Sequence, residues 1–560
     1  MRILNKEISW PQLVFAVFVT GFALIMLINP QLGTAQDDFK MIRTLQIGLP
    51  LLFYSSWFPY DNLLLQGRFT PLSPMEYNFF GLFMKSPSAF WYFLFHAFEY
   101  ALLTILFVKI LSQFTSNKLL IYFTPILLSL TPAVTIPFFR THITDKHLAL
   151  FYLAFFFFFS SYLKKPKLRY LILGVICVNM AVYFKEIAFV VPSVFVFCYL
   201  LLTRKRIQPK TEQPRVQKPG IKIFSGLVML SSLVYLLIYY FFVRLHLNPD
   251  VPLYGYNYYS RLLAFIKNIF NYGLFSDPII LFILLPFVAL RIYKFLRRKT
   301  ELHPIYDSML ISASVMVLGY LAIGYYTPQY MLPVYVFTLP PLIYFFSQKE
   351  QRTFYFKTAA VVSGLIILLN VFPAGIHYLT YYKYLPINYD KTLDFLVQDI
   401  NSRYPDKRAS IFLYGIDPKG GGGIYFMDSE FLQYKGLAWD RFDLKSNEKV
   451  EDNTLLSFKN FHPPFSVFQD KFYEISKGDY LIVSPRATKV NVDRAYIQSL
   501  LKDYDLIFKT SSPLAFPSVN LKTLAKYLLS EKLSESQEEK GVMINKNLMN
   551  WPDYYVLVKK

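Results

Sequence analysis

Tyr170–Leu202 reads YLILGVICVNMAVYFKEIAFVVPSVFVFCYLLL, and Lys185-Glu186 is its only charged interruption. The hydrocarbon core of a bilayer takes ~20 apolar residues per helix, with ~17 as a lower limit. Residues 169–184 and 187–203 therefore read as two short spans in a tight helical hairpin, with the ionic pair at its tip. Working outward, nine more apolar runs follow the same rule: 11–29, 89–111, 119–138, 147–163, 223–245, 278–296, 305–324, 328–346 and 358–379. The composition of the 560 residues agrees: 54% are hydrophobic, 19% aromatic and 17% charged, and the mean hydropathy is +0.33. An ordinary soluble protein carries about 25% charged residues. A disordered chain, a fibrous repeat and a single soluble domain are excluded. The fold class expected is an α-helical polytopic membrane protein of about 11 transmembrane helices.

Charge sets the orientation. The net charge of +21 belongs to short loops rather than to a nucleic-acid surface. With the N-terminus inside, the inner segments hold 22 lysines and arginines and the outer segments 9. The expected localisation is thus a multi-pass cell membrane protein with a cytoplasmic N-terminus. The first apolar run ends in Asn29-Pro30-Gln31-Leu32, which is no small-residue cleavage site, so it reads as a retained helix. Eleven crossings leave the C-terminus outside. Near Tyr381 the composition changes to short apolar runs between charged turns. Residues 1–380 read as the transmembrane domain and 381–560 as an extracytoplasmic soluble α/β domain. In that domain Ser410–Tyr414 and Tyr480–Val483 read as buried strands, Thr392–Asn401 and Ala495–Tyr504 as amphipathic helices, and Gly420–Gly423 as a flexible loop. Cys177 and Cys198 both lie in apolar runs, which argues against a disulfide framework or a cysteine zinc site.

The chemistry-bearing residues gather in the outer loops. The first, 30–88, is aromatic and proline-flanked, and reads as short interfacial helices at the depth where a lipid-linked head group would lie. It carries Asp37-Asp38, either a pair of solvated acids or a base and its support. It also carries Gln66-Gly67-Arg68-Phe69-Thr70-Pro71. The second outer loop packs Arg140, His142, Asp145, Lys146 and His147 between two apolar spans. Ionisable groups so near the bilayer are costly and tend to be functional. Arg140 fits a phosphate partner and Asp145 a second acid, with a snorkelling interface as the alternative. His142 and His147 read as interfacial histidines rather than as metal ligands. If the hairpin helices are short, Lys185 and Glu186 lie below the surface and face protein or a watery cavity. Lys185 fits a phosphate grip with Glu186 holding it, or the two neutralise each other. Tyr326 and Tyr330 open the tenth span as an aromatic belt or as a wall for a sugar or lipid. In the outer segment 246–277, amphipathic Leu262–Tyr272 reads as a second surface-lying element. No Walker loop, GxGxxG, HExxH or GxSxG is present.

Taken in order, these features resemble the C-type (GT-C) superfamily of polytopic glycosyltransferases, whose bacterial and other members include protein mannosyltransferases, the lipid A aminoarabinose transferase and oligosaccharyltransferase catalytic subunits. The likeness rests on Asp37-Asp38 in a long first loop, the run Gln66–Pro71, Arg140 with Asp145, then Lys185-Glu186 and Tyr326–Pro333, and it spans about residues 1–380 in layout. The sequence departs in having Asp145-Lys146 where many relatives carry a Pro-Glu-Arg-like run, and Gln329 where an Arg is frequent. The resemblance implies inverting transfer of a sugar from a polyprenyl-phosphate donor to a lipid, glycan or protein acceptor on the outer face. It implies Asp37 as base, with Asp38 supporting it and Asp145 orienting the acceptor or a metal. It implies Arg68, Arg140, Lys185, Glu186, Tyr326 and Tyr330 as substrate-binding residues. Some relatives take a divalent cation such as Mg or Mn and others do not. Membrane lipids are expected partners and nucleic acid is not. The competing readings are a transporter or flippase of lipid-linked glycans and a non-catalytic cell-envelope assembly protein.

Overall fold

The structure, a computed structural model, describes residues 2–3, 6–33, 69–73, 75–84, 88–141, 143–203, 219–246, 261–270, 275–298, 300–322, 327–348, 353–416, 418–446, 466–468, 473–486, 494–533 and 551–560. Each of the eleven apolar runs coincides with helix. In chain order α1 is Trp10–Leu27, α2 the short Met75–Gly81, α3 Ala89–Phe114, α4 Lys118–Ser129 and α5 Pro132–Phe139. Then come α6 Asp145–Lys164, α7 Leu168–Phe184, α8 Val190–Leu202, α9 Pro219–Phe242 and α10 Arg261–Phe270. A π-helical stretch, Ile279–Leu284, leads into α11 Leu285–Leu296, followed by α12 Pro304–Ala322 and α13 Leu332–Ser347. The last span is α14 Phe354–Ile366, which continues through a second π stretch, Ile367–Val371, into α15 Phe372–Arg403. Among the described residues eight helices are long and apolar enough to cross a membrane, and the bent pair α4–α5, taken as one span, makes a ninth. The hairpin helices, Leu168–Phe184 and Glu186–Leu202, are shorter, as their sequence implied.

Proline and close packing shape the bundle. Leu130 and Thr131 separate α4 from α5, which Pro132 opens, and the chain bends there by 59°. The bend lets α15 approach closely: a Cβ on Gly375 would stand 1.9 Å from the Leu130 carbonyl oxygen, so only glycine fits. A continuous aromatic and aliphatic core runs through the bundle, including Phe155, Phe195, Phe337 and Tyr235. On the other side of the bundle, α11 and α12 are pinned by the buried pair Arg291–Asp307, with Arg291 Nη2 2.6 Å from Asp307 Oδ2.

α15 runs past Tyr381 without a break and carries the chain into a five-stranded sheet. Its strands are β1 Ala409–Tyr414, β2 Phe442–Lys445, β3 Tyr480–Val483, β4 Tyr504–Lys509 and β5 Tyr555–Lys559, in the order β2-β1-β3-β5-β4. β2 and β3 flank β1 in parallel, with Ala409 opposite Phe442 and Ile411 opposite Tyr480. β5 runs antiparallel to both of its neighbours. The expected strands and the helix over 392–401 are present. Two expectations need correction. Gly420–Gly423 lies inside a helix, α16 (Pro418–Tyr434), rather than in a loop. Each glycine costs a helix about 1 kcal/mol relative to alanine, but burial of Tyr425, Phe426, Phe431 and Leu432 on the sheet carries the helix through them. The helix expected over 495–504 is α17, Arg494–Leu500, and ends early because Tyr504 already pairs with Lys559.

Candidate active site

The hairpin tip forms as its sequence suggests. α7 stops at Phe184, Lys185 is extended (φ −156°, ψ 139°), and Glu186–Phe189 makes one 3-10 turn into α8. The turn is fixed by Tyr152, whose hydroxyl donates to the Ala188 carbonyl at 2.6 Å. Lys185 is only 7% exposed, and its ammonium meets Asp145 Oδ1 at 2.6 Å. Asp145 is buried at the first position of α6, forty residues earlier in the chain. The ammonium also sits 3.2 Å from the centroid of the Tyr330 ring, which stacks on Tyr320 at 5.0 Å. A cation over a tyrosine face in a desolvated setting is attracted by the ring quadrupole. Glu186 is half-buried and opens the 3-10 turn.

Arg140 ends α5 and lies over the Tyr382 ring at 5.3 Å. Its Nε is buried with no hydrogen-bond partner among the described residues. Lys146 links this loop to α6, donating to the Arg140 carbonyl at 3.4 Å and the Thr141 carbonyl at 3.0 Å. Asp145, Arg140, Lys185 and Tyr330 thus belong to one end of the bundle, where α5, α6, α7 and the 3-10 turn before α13 meet. Asp37, Asp38, Arg68, Tyr326 and His142 lie outside the described residues. The flanks of the first loop do reach this end. Phe69 packs on Tyr183 at 6.3 Å, its carbonyl accepts from Tyr235 at 3.0 Å, and the Leu72 amide donates to the Tyr183 carbonyl at 3.2 Å. At the other flank Gly33 is clamped on α15. Its φ is +94°, a Cβ there would meet the Tyr389 ring at 2.6 Å, and Arg486 donates to its carbonyl.

A second ionic cluster lies in the same loop and helix ends, and it joins Lys146 and His147 of the second outer loop to three residues that the sequence reading does not single out. Glu76 of α2 accepts from His96 Nε2 at 3.0 Å, Lys146 Nζ at 3.2 Å and His147 Nε2 at 2.7 Å. His147 Nδ1 meets Glu99 Oε1 at 2.5 Å. All five residues are buried. His147 is therefore a core residue of an ionic network and not an interfacial histidine. Both of its ring nitrogens face carboxylate oxygens, so each contact needs a hydrogen, and the three groups together hold one proton more than a neutral ring and two carboxylates would. Burial alone would raise the Glu76 carboxyl, but the Lys146 ammonium and the rings of His96 and His147 outweigh it and hold it well below its usual range.

Carboxylate and imidazole are ligands that suit a divalent ion, and donor atoms of Glu76, Glu99 and His147 lie within 4.8 Å of one another. The arrangement nevertheless fits a proton better. A divalent ion would have to strip His147 and sit beside the Lys146 ammonium, 3.2 Å from Glu76. Glu76 and Glu99 are already balanced by Lys146 and that proton. These residues as arranged do not fit the cation. The sequence did hold a signal for the cluster. His96 and Glu99 sit three residues apart inside an apolar helix, hence on one face, where two ionisable groups persist only if they are paired.

No protein-family profile and no curated protein matches the sequence. Among solved structures the chain is similar to the oligosaccharyltransferase of Archaeoglobus fulgidus. Its apo form is 10% identical with a TM-score of 0.40, over 98% of this chain and 88% of that one. The archaeal oligosaccharyltransferase AglB from Archaeoglobus fulgidus, in complex with an inhibitory peptide and a dolichol-phosphate, is 10% identical with a TM-score of 0.36, over 98% of this chain and 89% of that one. A form tethered to an acceptor peptide is 11% identical with a TM-score of 0.35, over 77% of this chain and 63% of that one. That likeness assigns no role to any residue of this chain.

Proposed function

We propose that this protein is a membrane glycosyltransferase that moves a sugar from a polyprenyl-phosphate donor to a lipid, glycan or protein acceptor on the extracytoplasmic face. The observation that carries the reading is the Lys185 ammonium, buried between two short apolar helices and held by Asp145 at 2.6 Å. A buried ammonium costs several kcal/mol in desolvation, which a structural pair can offset but does not require. Here it lies at the end of the bundle that also holds Arg140, whose Nε has no hydrogen-bond partner among the described residues, and the Tyr320–Tyr330 stack. A donor whose lipid tail stays in the bilayer can present its phosphate at this depth.

In the reaction the acceptor hydroxyl attacks C1 of the sugar on the face opposite the phosphate. Asp37 takes the hydroxyl proton, the C1–O bond to phosphate breaks, and its electron pair leaves on the polyprenyl phosphate. Lys185 and Arg140 stabilise that developing charge, and charge-assisted donors of this kind are about twice as strong as neutral ones. Asp145 holds Lys185 in place between turnovers. Asp38 supports Asp37, Arg68 and Glu186 border the site, and Tyr326 and Tyr330 wall the sugar.

The test is incubation of the purified, reconstituted protein with a panel of radiolabelled polyprenyl-phosphate sugars. The reading expects release of the sugar from one donor, and its loss in an Asp37→Asn variant that still folds and still binds that donor. Movement of an intact donor across the vesicle membrane, without cleavage and unaffected by Asp37→Asn, would establish the transporter reading instead.

A further inference from the structure

From Phe354, the first residue of α14, to Asn370 the helix rises about 24 Å at ~1.5 Å per residue, while the bilayer core is ~30 Å thick. If Phe354 marks one boundary of the core, Asn370 falls within the hydrocarbon or at its far edge. Leu365, Leu368 and Leu369, on the same stretch, are exposed, as lipid-facing residues are. Two points of the later chain are tied to this helix at different heights. The Phe516 amide donates to Thr380 Oγ1 at 2.9 Å, and His377 Nδ1 donates to the Phe516 carbonyl at 2.8 Å. Six residues later the Lys522 amide donates to Asn370 Oδ1 at 2.7 Å. Between these ties the chain descends by about 10 Å along the helix, back toward the bilayer.

At the lower tie begins α18, Leu521–Leu533, with Asn520 Oδ1 accepting from the Thr523 amide at 3.0 Å to cap its start. Leu521, Leu524 and Leu528, spaced along one helical face, are all exposed, as are Leu514, Phe516 and Val519 before them. Beside it the Lys522 ammonium lies 5.9 Å over the Phe275 ring, and Asn370 donates to the Phe275 carbonyl. Phe275 follows α10, whose Leu262, Phe265 and Ile266 are likewise exposed. The apolar surface of 514–528 is thus continuous with the lipid-facing surface of α14.

We propose that residues 514–528 are seated in the lipid of the leaflet from which the sheet domain projects, with the Leu521–Leu524–Leu528 face among the acyl chains. The helix anchors the domain to the membrane at a second point besides α15.

The experiment uses the full chain in lipid nanodiscs, with Cys177→Ala and Cys198→Ala as background. A spin label is placed by Leu524→Cys or Leu528→Cys, and by Asp406→Cys at the exposed turn beyond α15 as the aqueous reference. The proposal expects positions 524 and 528 to be several-fold more accessible to oxygen, relative to a water-soluble nickel complex, than position 406. Nickel accessibility at 524 and 528 equal to that at 406 overturns it, and so does shielding from both reagents, which would mean that protein covers the face. A second readout leaves the native cysteines in place: Leu524→Trp fluorescence, corrected for the parent protein, is quenched by acyl-brominated lipid if the proposal holds and unchanged if it fails.

Discussion

At the scale of single residues, Lys146, His147 and Lys185 at the end of the bundle are each held by a buried carboxylate. Lys185 meets Asp145, and Lys146 and His147 share Glu76 and Glu99. Removing one partner of a buried pair leaves an uncompensated charge, at a cost of about 3–5 kcal/mol. Glu99→Gln is therefore expected to lower the thermal unfolding midpoint of the detergent-solubilised protein clearly. Adding millimolar Mn2+ or Zn2+ to the unmodified protein leaves that midpoint in place, because the network is already neutral. A large rise with either metal would show that the cluster binds a cation after all. Asp145, Arg140, Lys185 and Tyr330 were each legible in the sequence as ionisable or aromatic groups near apolar runs. Their pairing was not, since Asp145 and Lys185 meet only when α6 and α7 pack side by side. His96 and Glu99 are hidden in the sequence because they interrupt the apolar run 89–111 too little to end it, and Glu76 stands as a lone acid in the first outer loop.

At the scale of elements, the eleven spans could be read because a membrane helix needs only length and apolarity, which survive without any periodic pattern. The glycine run departs from the loop its local propensity predicts because burial of the α16 apolar face decides its conformation. Gly33 shows the converse, a glycine whose role is set by tertiary approach. It joins α1 to the loop that carries Asp37 four residues on, and the Tyr389 ring leaves no room for a Cβ. Gly33→Ala adds a side chain at positive φ and forces the ring to move, which costs about 1–3 kcal/mol. The expected result is a lower unfolding midpoint together with a lower kcat and a little-changed donor KM, since the loop shifts while Lys185 does not. An unchanged kcat would separate this clamp from the site.

At the scale of the whole molecule, the sheet domain and the membrane bundle share contacts on which stability depends. Arg486, just past β3, reaches the Gly33 carbonyl and lies 5.2 Å over the Tyr389 ring, while the Tyr389 hydroxyl donates to Asp428 at 2.7 Å. Burial pushes the Asp428 carboxyl up to about 6, against the opposing pull of Tyr389 and Arg486. A carboxyl raised on folding favours the folded state when protonated, so this contribution is present at low pH and is lost as pH rises from about 4 to about 6. Asp428→Asn should accordingly raise the unfolding midpoint at pH 7.5 and change it little at pH 4.5. Equal shifts at both pH values would mean that the carboxyl ionises in the folded state at its usual range.

The central claim is that Lys185 grips the donor phosphate, and steady-state donor kinetics of Lys185→Met beside Lys185→Arg test it most directly. The account predicts a donor KM raised about 10–100-fold or a kcat lowered to match in Lys185→Met, the loss of one charge-assisted contact, with partial recovery in Lys185→Arg. Donor KM and kcat unchanged in a folded Lys185→Met protein would contradict it.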